Sequence, residues 1–259
     1  MTRAVSPLPT RRARGTAAAV GRSLRVYYGD PARERAMDAL HARFVRPGDL
    51  VFDVGAHVGD RVAGFRRLGA RVVALEPQPG PARALRLIHG RDPGVTLLAV
   101  AAAARPGRVT LAVNRANPTV STASAAFVRA AAGAAGWEGQ DWDDAVEVPA
   151  VTLDELIAAH GCPAFVKIDV EGFEDAVLDG LSTPLPALSF EFTTIARAVA
   201  ARCLARLADL GPYRFDLALG ESQRLAGRWL DAEAMAAELA ALPHAANSGD
   251  VYAVLPDTL

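Results

Sequence analysis

Asp49-Leu-Val-Phe-Asp-Val-Gly-Ala-His-Val-Gly-Asp-Arg61 decides how the rest of this chain is read. Leu50 to Val54 is a short apolar run rich in Val and Phe, the pattern of a strand buried on both faces. Gly55 to Gly59 follows at once. Val58, Val62, Phe65 and Leu68 then recur at helical spacing, so the glycines belong to a strand-to-helix turn. In doubly wound α/β sheets that turn sits at the carboxyl end of the first strand, where nucleotide-like ligands bind.

Charge decides the class of ligand. A dinucleotide loop reads G-x-G-x-x-G and cradles a pyrophosphate with backbone N–H groups and a helix N-terminus. Here the spacing is Gly55-x-x-x-Gly59, and Asp53 stands two residues before the first glycine. A carboxylate there repels phosphate but suits a ligand with an ammonium and a sulfonium. S-adenosylmethionine (SAM) has both and has no phosphate. The second strand, Arg71 to Glu76, ends in an acid 21 residues after Gly55. Such folds place there the carboxylate that accepts hydrogen bonds from ribose hydroxyls. The competing reading is a nicotinamide-dependent oxidoreductase with a degenerate loop, and Asp53 counts against it.

A chain of 259 residues with 51% hydrophobic content can bury one sizeable core, which implies a single α/β domain with additions. The net charge of −1 gives no support for nucleic acid or a membrane surface as the main partner. No apolar run is long enough to span a bilayer. Cys162 and Cys203 are isolated and lack metal-ligand spacing, so no metal site is expected and a reducing, cytoplasmic location is. The 28 basic residues include one lysine, Lys167. It marks a place where a compact ammonium fits and a planar guanidinium does not.

Along the chain, residues 1–30 are Arg-rich and hold no acid before Asp30, the composition of a flexible segment. Helical and strand patterns then alternate up to Val95–Val100, one half of a Rossmann-like sheet. Val109 to Val113 reads as an extra antiparallel strand. Residues 114–146 break the rhythm and are expected to form a lid-like insertion, with Trp137 and Trp142 facing the substrate. Beyond it, Thr152 caps a helix with Glu155 in the capping-box position. Later strands are expected at Ala164–Asp169, Ala187–Phe192, Tyr213–Leu219 and Val251–Leu255, making a seven-stranded, mostly parallel sheet with helices on both faces.

The second chemical cluster is Lys167-Ile-Asp-Val-Glu-Gly-Phe-Glu174. Strand alternation puts Lys167 and Asp169 on one face, with Asp169 on the rim that also carries Asp53 and Glu76. Glu171 is expected to open the following helix, where its charge is favourable. Glu191 lies near the end of the next strand and could line an acceptor pocket, where a buried acid needs a partner. His57 is either a polar space-filler in the glycine loop, a ligand contact or a base.

Taken with Ala74-Leu-Glu-Pro77 and Val151-Thr-Leu-Asp-Glu-Leu156, these motifs resemble the FkbM family of class I SAM-dependent methyltransferases over roughly residues 45 to 195. The resemblance implies O-methylation of a hydroxyl on a sugar, polysaccharide or secondary metabolite. It maps Asp53, Gly55 and Glu76 to SAM contacts, and Asp169 and Glu171 to an acidic motif beside the transferring methyl. The expected cofactor-binding set is Asp53, Gly55, Ala56, His57, Gly59, Glu76 and Pro77. The expected catalytic set is Lys167, Asp169, Glu171 and His57. The partner would be a small-molecule or glycan acceptor. A SAM-binding protein without turnover is the alternative from a different class, and the intact acids count against it.

Overall fold

The computed structural model describes residues 11–258. The chain runs through α1 (Arg11–Tyr28), α2 (Pro31–His41), β1 (Leu50–Val54), α3 (Asp60–Arg67), β2 (Arg71–Leu75), α4 (Pro79–His89) and β3 (Val95–Leu98). A small three-stranded sheet follows, made of β4 (Ala101–Ala102), β5 (Gly107–Val113) and β6 (Asp144–Val151), with α5 (Ala125–Ala131) between its last two strands. The remainder is α6 (Leu153–His160), β7 (Phe165–Ile168), α7 (Glu174–Leu178), β8 (Ala187–Thr193), α8 (Arg197–Leu210), β9 (Arg214–Leu219), α9 (Ala232–Ala241) and β10 (Ser248–Val254).

The main sheet has seven strands in the order β3-β2-β1-β7-β8-β10-β9. All run parallel except β10, which is antiparallel to β8 and β9. One face packs Phe52, Val54, Val166, Ile168, Leu188 and Phe190 against side chains of α6 to α9, such as Leu156, Leu178, Leu204 and Met235. The other packs Val51, Phe165, Ala187 and Tyr252 against Leu40, Phe65 and Leu85 of α2, α3 and α4. Both faces are covered, which is why β1 is apolar throughout apart from one acid. From β1 the chain steps outward to β2 and β3, and later returns to β7 on the other flank. The crevice at the carboxyl end of β1 is therefore the switch point of the sheet.

Three expectations are corrected. Residues 11–28, assigned above to a flexible segment, form a helix that buries Ala19, Val20 and Ser23. It is tied down by Tyr28, which donates to the Val58 carbonyl (3.1 Å), and by Arg22, which donates to the Ala116 carbonyl (2.5 Å). The arginines misled because their alanine-rich neighbours supply a narrow apolar stripe. Residues 1–10 lie outside the described residues. In the insertion, Trp137 and Trp142 do not face the cleft: they pack edge-on against Phe127 to make the insertion's own small core. Glu171 does not open a helix. It sits in the turn after β7 at φ +57, and α7 begins at Glu174.

The turn after β1 requires its glycine. Gly55 has φ +87, and a Cβ there would overlap the main-chain carbonyl of Asp169. Gly48 has a similar φ of +90 but open space around it. Gly48→Ala is expected to cost about 1–2 kcal/mol, the conformational penalty alone. Gly55→Ala is expected to cost more than about 3 kcal/mol, because backbone must also move. Urea midpoints of the two variants check this, and equal losses would show that β1 and β7 do not approach as closely as described.

Candidate active site

Alternation along the strands sorts side chains by face. Phe52, Val54, Val166, Ile168, Leu188 and Phe190 go to one core, so Asp53, Lys167, Asp169, Ser189, Glu191 and Thr193 go to the other side. The register pairs Asp53 with Lys167, Lys167 with Ser189, and Glu191 with Asp250. A polar row thus crosses four strands just beneath the rim. Lys167 has no exposed surface, and its Nζ donates to Asp250 at 2.7 Å and to Asp169 at 3.2 Å. Burial pushes its pKa down, but the two carboxylates outweigh burial and raise it, so the ammonium stays charged. Lys167 lies below the cleft rather than on its wall.

The glycine turn and the end of β2 form the other half of the cleft. Asp53 is 1% exposed, and among the described residues neither of its oxygens has a hydrogen-bond partner. Burial pushes its carboxyl up to about 7, despite the opposing pull of Arg61. Glu76 accepts the His57 N–H (2.9 Å) on one oxygen and the Gln78 N–H (2.7 Å) on the other, which fixes its orientation. Burial pushes it too to about 7, against those hydrogen bonds. His57 holds φ +47, and both its ring nitrogens are buried without partners among the described residues. Burial lowers it to about 4, so the ring is neutral near pH 7. Gly55, Ala56 and Pro77 also line the cleft. Gly59 does not: at φ +86 it precedes α3, where a side chain would run into Leu85 and His89.

Opposite these stand three acids. One carboxylate oxygen from each of Asp169, Glu171 and Glu191 lies within 4.8 Å of the other two. Burial raises Asp169, but Lys167 and Arg61 outweigh it and hold the carboxyl below the usual range. The Glu171 main-chain carbonyl accepts from the Thr122 hydroxyl (2.7 Å), but the carboxylates of Glu171 and Glu191 have no hydrogen bond or ion pair among the described residues. Burial, with repulsion from Asp169 and from neighbouring glutamates, lifts both well above the ordinary value.

Several residues of the site were not found by sequence reasoning. Arg61 reaches Asp169 (3.8 Å), Glu221 (3.8 Å) and Asp60 (3.7 Å), while Arg33 pairs with Asp60 (2.9 Å) and Glu221 (2.8 Å). Tyr27 of α1 packs edge-on to His57 and closes one wall. Thr119, Ser121 and Ala123 are what the insertion contributes to the cleft. Glu174 carries the cap that Glu171 was expected to carry: its Oε1 accepts the Val170 and Gly172 N–H groups, both at 3.1 Å.

A glycine turn flanked by two strand-end carboxylates, at the switch point of this sheet order, defines a class I SAM-dependent methyltransferase. Residues 53–199 match the family model of the methyltransferase FkbM domain, more than half of the chain, and the chain belongs to that family. It is 32% identical over 163 residues to the 31-O-demethyl-FK506 methyltransferase FkbM of Streptomyces tacrolimicus, covering 54% of this chain and 62% of that protein. The match thus spans less than two thirds of that relative. Among solved structures, precorrin-6y C5,15-methyltransferase from Geobacter metallireducens aligns at 12% identity with a TM-score of 0.44, over 85% of this chain and 88% of that one. The O-methyltransferase from Bacillus cereus in complex with SAH aligns at 10% identity with a TM-score of 0.41, over 96% and 93%. Among the described residues, no helix is long and apolar enough to cross a membrane.

The residues present fit SAM. Asp53 has two buried oxygens in need of donors, and Glu76, held by two N–H groups, keeps lone pairs for hydroxyls. Both acids line one cleft together with Gly55, Ala56 and Pro77. Because both acids titrate near 7, a cationic ligand meets ionised partners only above that range. SAM affinity is therefore expected to rise with pH from about 5.5 and level off by about 8, each acid giving up its proton on binding below its pKa. Asp53→Asn should weaken SAM at least tenfold at pH 8, the loss of one charge-assisted hydrogen bond of about 1.5–3 kcal/mol, and should make the pH dependence shallower. Calorimetry across that range checks it. Affinity independent of pH would mean that neither acid meets the ligand.

Proposed function

We propose that this chain O-methylates a hydroxyl of a small-molecule or glycan acceptor. The observation that carries the reading is the placement of Asp169, Glu171 and Glu191 across the cleft from Asp53 and Glu76. A donor and an acceptor site then share one cavity. SAM, when bound, supplies a methyl on a sulfonium that departs as a neutral thioether. The chain's own part is to hold the acceptor oxygen in place, exclude water and receive the hydroxyl proton. Its relative from Streptomyces tacrolimicus acts on an oxygen according to its name, which supports the same class of acceptor.

Asp169 is the residue assigned to the acceptor hydroxyl. Lys167 and Arg61 keep it ionised and oriented, which makes it a good hydrogen-bond acceptor and a weak base. The proton lost by the hydroxyl passes to Asp169, the one acid of the three held ionised, while Glu171 and Glu191, raised by burial and by the neighbouring acids, stand beside it as hydrogen-bonding groups for the acceptor. His57 is the poorer candidate, since burial depresses its basicity to about 4. Lys167 acts through Asp169 and is a positioning residue. The insertion and Tyr27 close the cleft from above.

Asp169→Asn preserves shape and removes charge. Turnover is expected to fall by about 10²–10⁴, the range for loss of a general base, with SAM affinity changed much less. His57→Gln serves as the comparison and should leave most turnover in place. Single-turnover assays with a panel of hydroxylated acceptors, paired with SAM calorimetry, make the measurement. Loss of turnover in His57→Gln with Asp169→Asn near wild type would move the base to His57 and make the acidic cluster structural.

A further inference from the structure

Among the described residues, Arg61 is the one arginine or lysine that lines the cleft. It stands in the first turn of α3, and its side chain is 14% exposed. Elsewhere in the molecule guanidinium groups grip carboxylates as forks: Arg66 holds Asp92 at 2.8 and 3.0 Å, and Arg67 holds Asp38 at 2.7 and 2.8 Å. Arg61 grips nothing. Its approaches to Asp60 (3.7 Å), Asp169 (3.8 Å) and Glu221 (3.8 Å) are all too long for hydrogen bonds, and its side chain makes none among the described residues. The cause is competition. Arg33 holds Asp60 at 2.9 Å and Glu221 at 2.8 Å, while Lys167 holds Asp169 at 3.2 Å. Arg61 is left with unfilled N–H groups, and its nitrogens keep accessible surface on the cleft. A guanidinium so far withdrawn from water and so poorly bonded points to an anion that is yet to be supplied.

The cofactor carries one. SAM ends in an amino-acid head, with a carboxylate and an ammonium on the same carbon. Asp53 offers the ammonium two buried oxygens that lack donors among the described residues. Wherever the ammonium is held, the carboxylate must find donors close by. Arg61 is close: burial raises the Asp53 carboxyl, and Arg61 is the foremost charge opposing that rise. The other charged side chains lining the cleft are acids, which suit the ammonium and sulfonium and repel a carboxylate.

We propose that Arg61 binds the carboxylate of SAM. A planar guanidinium matches a carboxylate with two parallel N–H groups, which a lysine ammonium cannot do. The acids around it have a part in this. Asp60, Asp169 and Glu221 draw the guanidinium from three directions and hold it in place, yet none comes near enough to take its donors. The ligand therefore meets an arginine that is already positioned and gives up no hydrogen bond on binding. Arg61 then selects cofactors that carry the amino-acid head over analogues that lack its carboxylate. The assignment concerns the donor side of the cleft and stands whichever acceptor is methylated.

The test removes the interaction from each side in turn. The full chain, without acceptor, is titrated by calorimetry with SAM, with SAH and with decarboxylated SAM, which keeps the ammonium and sulfonium and lacks the carboxylate. Wild type is expected to bind decarboxylated SAM at least tenfold more weakly than SAM, the loss of a charge-assisted pair. Arg61→Met removes the donors. It should weaken SAM and SAH by similar factors, at least tenfold, because both carry the carboxylate. Decarboxylated SAM should change by less than about threefold, so that the preference for SAM collapses. An arginine that merely supports the fold would weaken all three ligands alike, and that result overturns the assignment. SAM affinity lost in Asp53→Asn but unchanged in Arg61→Met would also overturn it, while leaving the cofactor site in place. If Arg61→Met fails to fold, as its melting curve will show, the wild type decides: equal affinity for SAM and decarboxylated SAM rejects the contact.

Discussion

One ammonium with no exposed surface organises this protein. Lys167 sits inside the sheet, between Asp53 on β1 and Ser189 on β8, and is held by Asp169 ahead of it and Asp250 two strands away. Burying a lone charge costs several kcal/mol, and the cost is offset only where partners are close and well aimed. Each partner is set by a different strand. The rim can therefore be assembled only in one register, and a slip of one residue in β7 would turn Lys167 into the apolar layer.

The same electrostatics divide labour across the cleft. Among the described residues, the carboxylates of Asp53 and Glu76 have no cationic side chain at hydrogen-bond distance, and burial raises them toward neutrality. Asp169 is kept anionic by two cations, while its two glutamate neighbours are not. Five acids around one cavity thus fall into three states of ionisation. Residue type alone does not distinguish them, and their neighbours do.

Much of this was legible from sequence. The apolar run of β1, the Gly55 turn and Glu76 after β2 are local patterns, and local patterns survive in a linear text. So is the capping box of Thr152 and Glu155, both of whose hydrogen bonds form. What was not legible depends on long-range contact. Asp250 meets Lys167 across 83 residues, and Arg33 meets Glu221 across 188. No spacing rule joins such pairs. The tryptophans of the insertion misled for a related reason: a segment outside the main core can own a small core, and Phe127 provided it. Glu171 misled because Gly172 at φ +82 lets the chain stay left-handed for another residue before α7 begins.

The antiparallel strand has a consequence for the order in which the molecule comes into being. β10 is the last of the seven strands in chain order, yet it is inserted between β8 and β9 rather than added at an edge. Until it docks, β8 and β9 have no common partner, and Lys167 lacks the shorter of its two contacts. A nascent chain that has emerged as far as β9 holds nearly every residue of the cleft and still cannot complete it. Assembly of the rim is thereby deferred until β10 has been made and closes the gap.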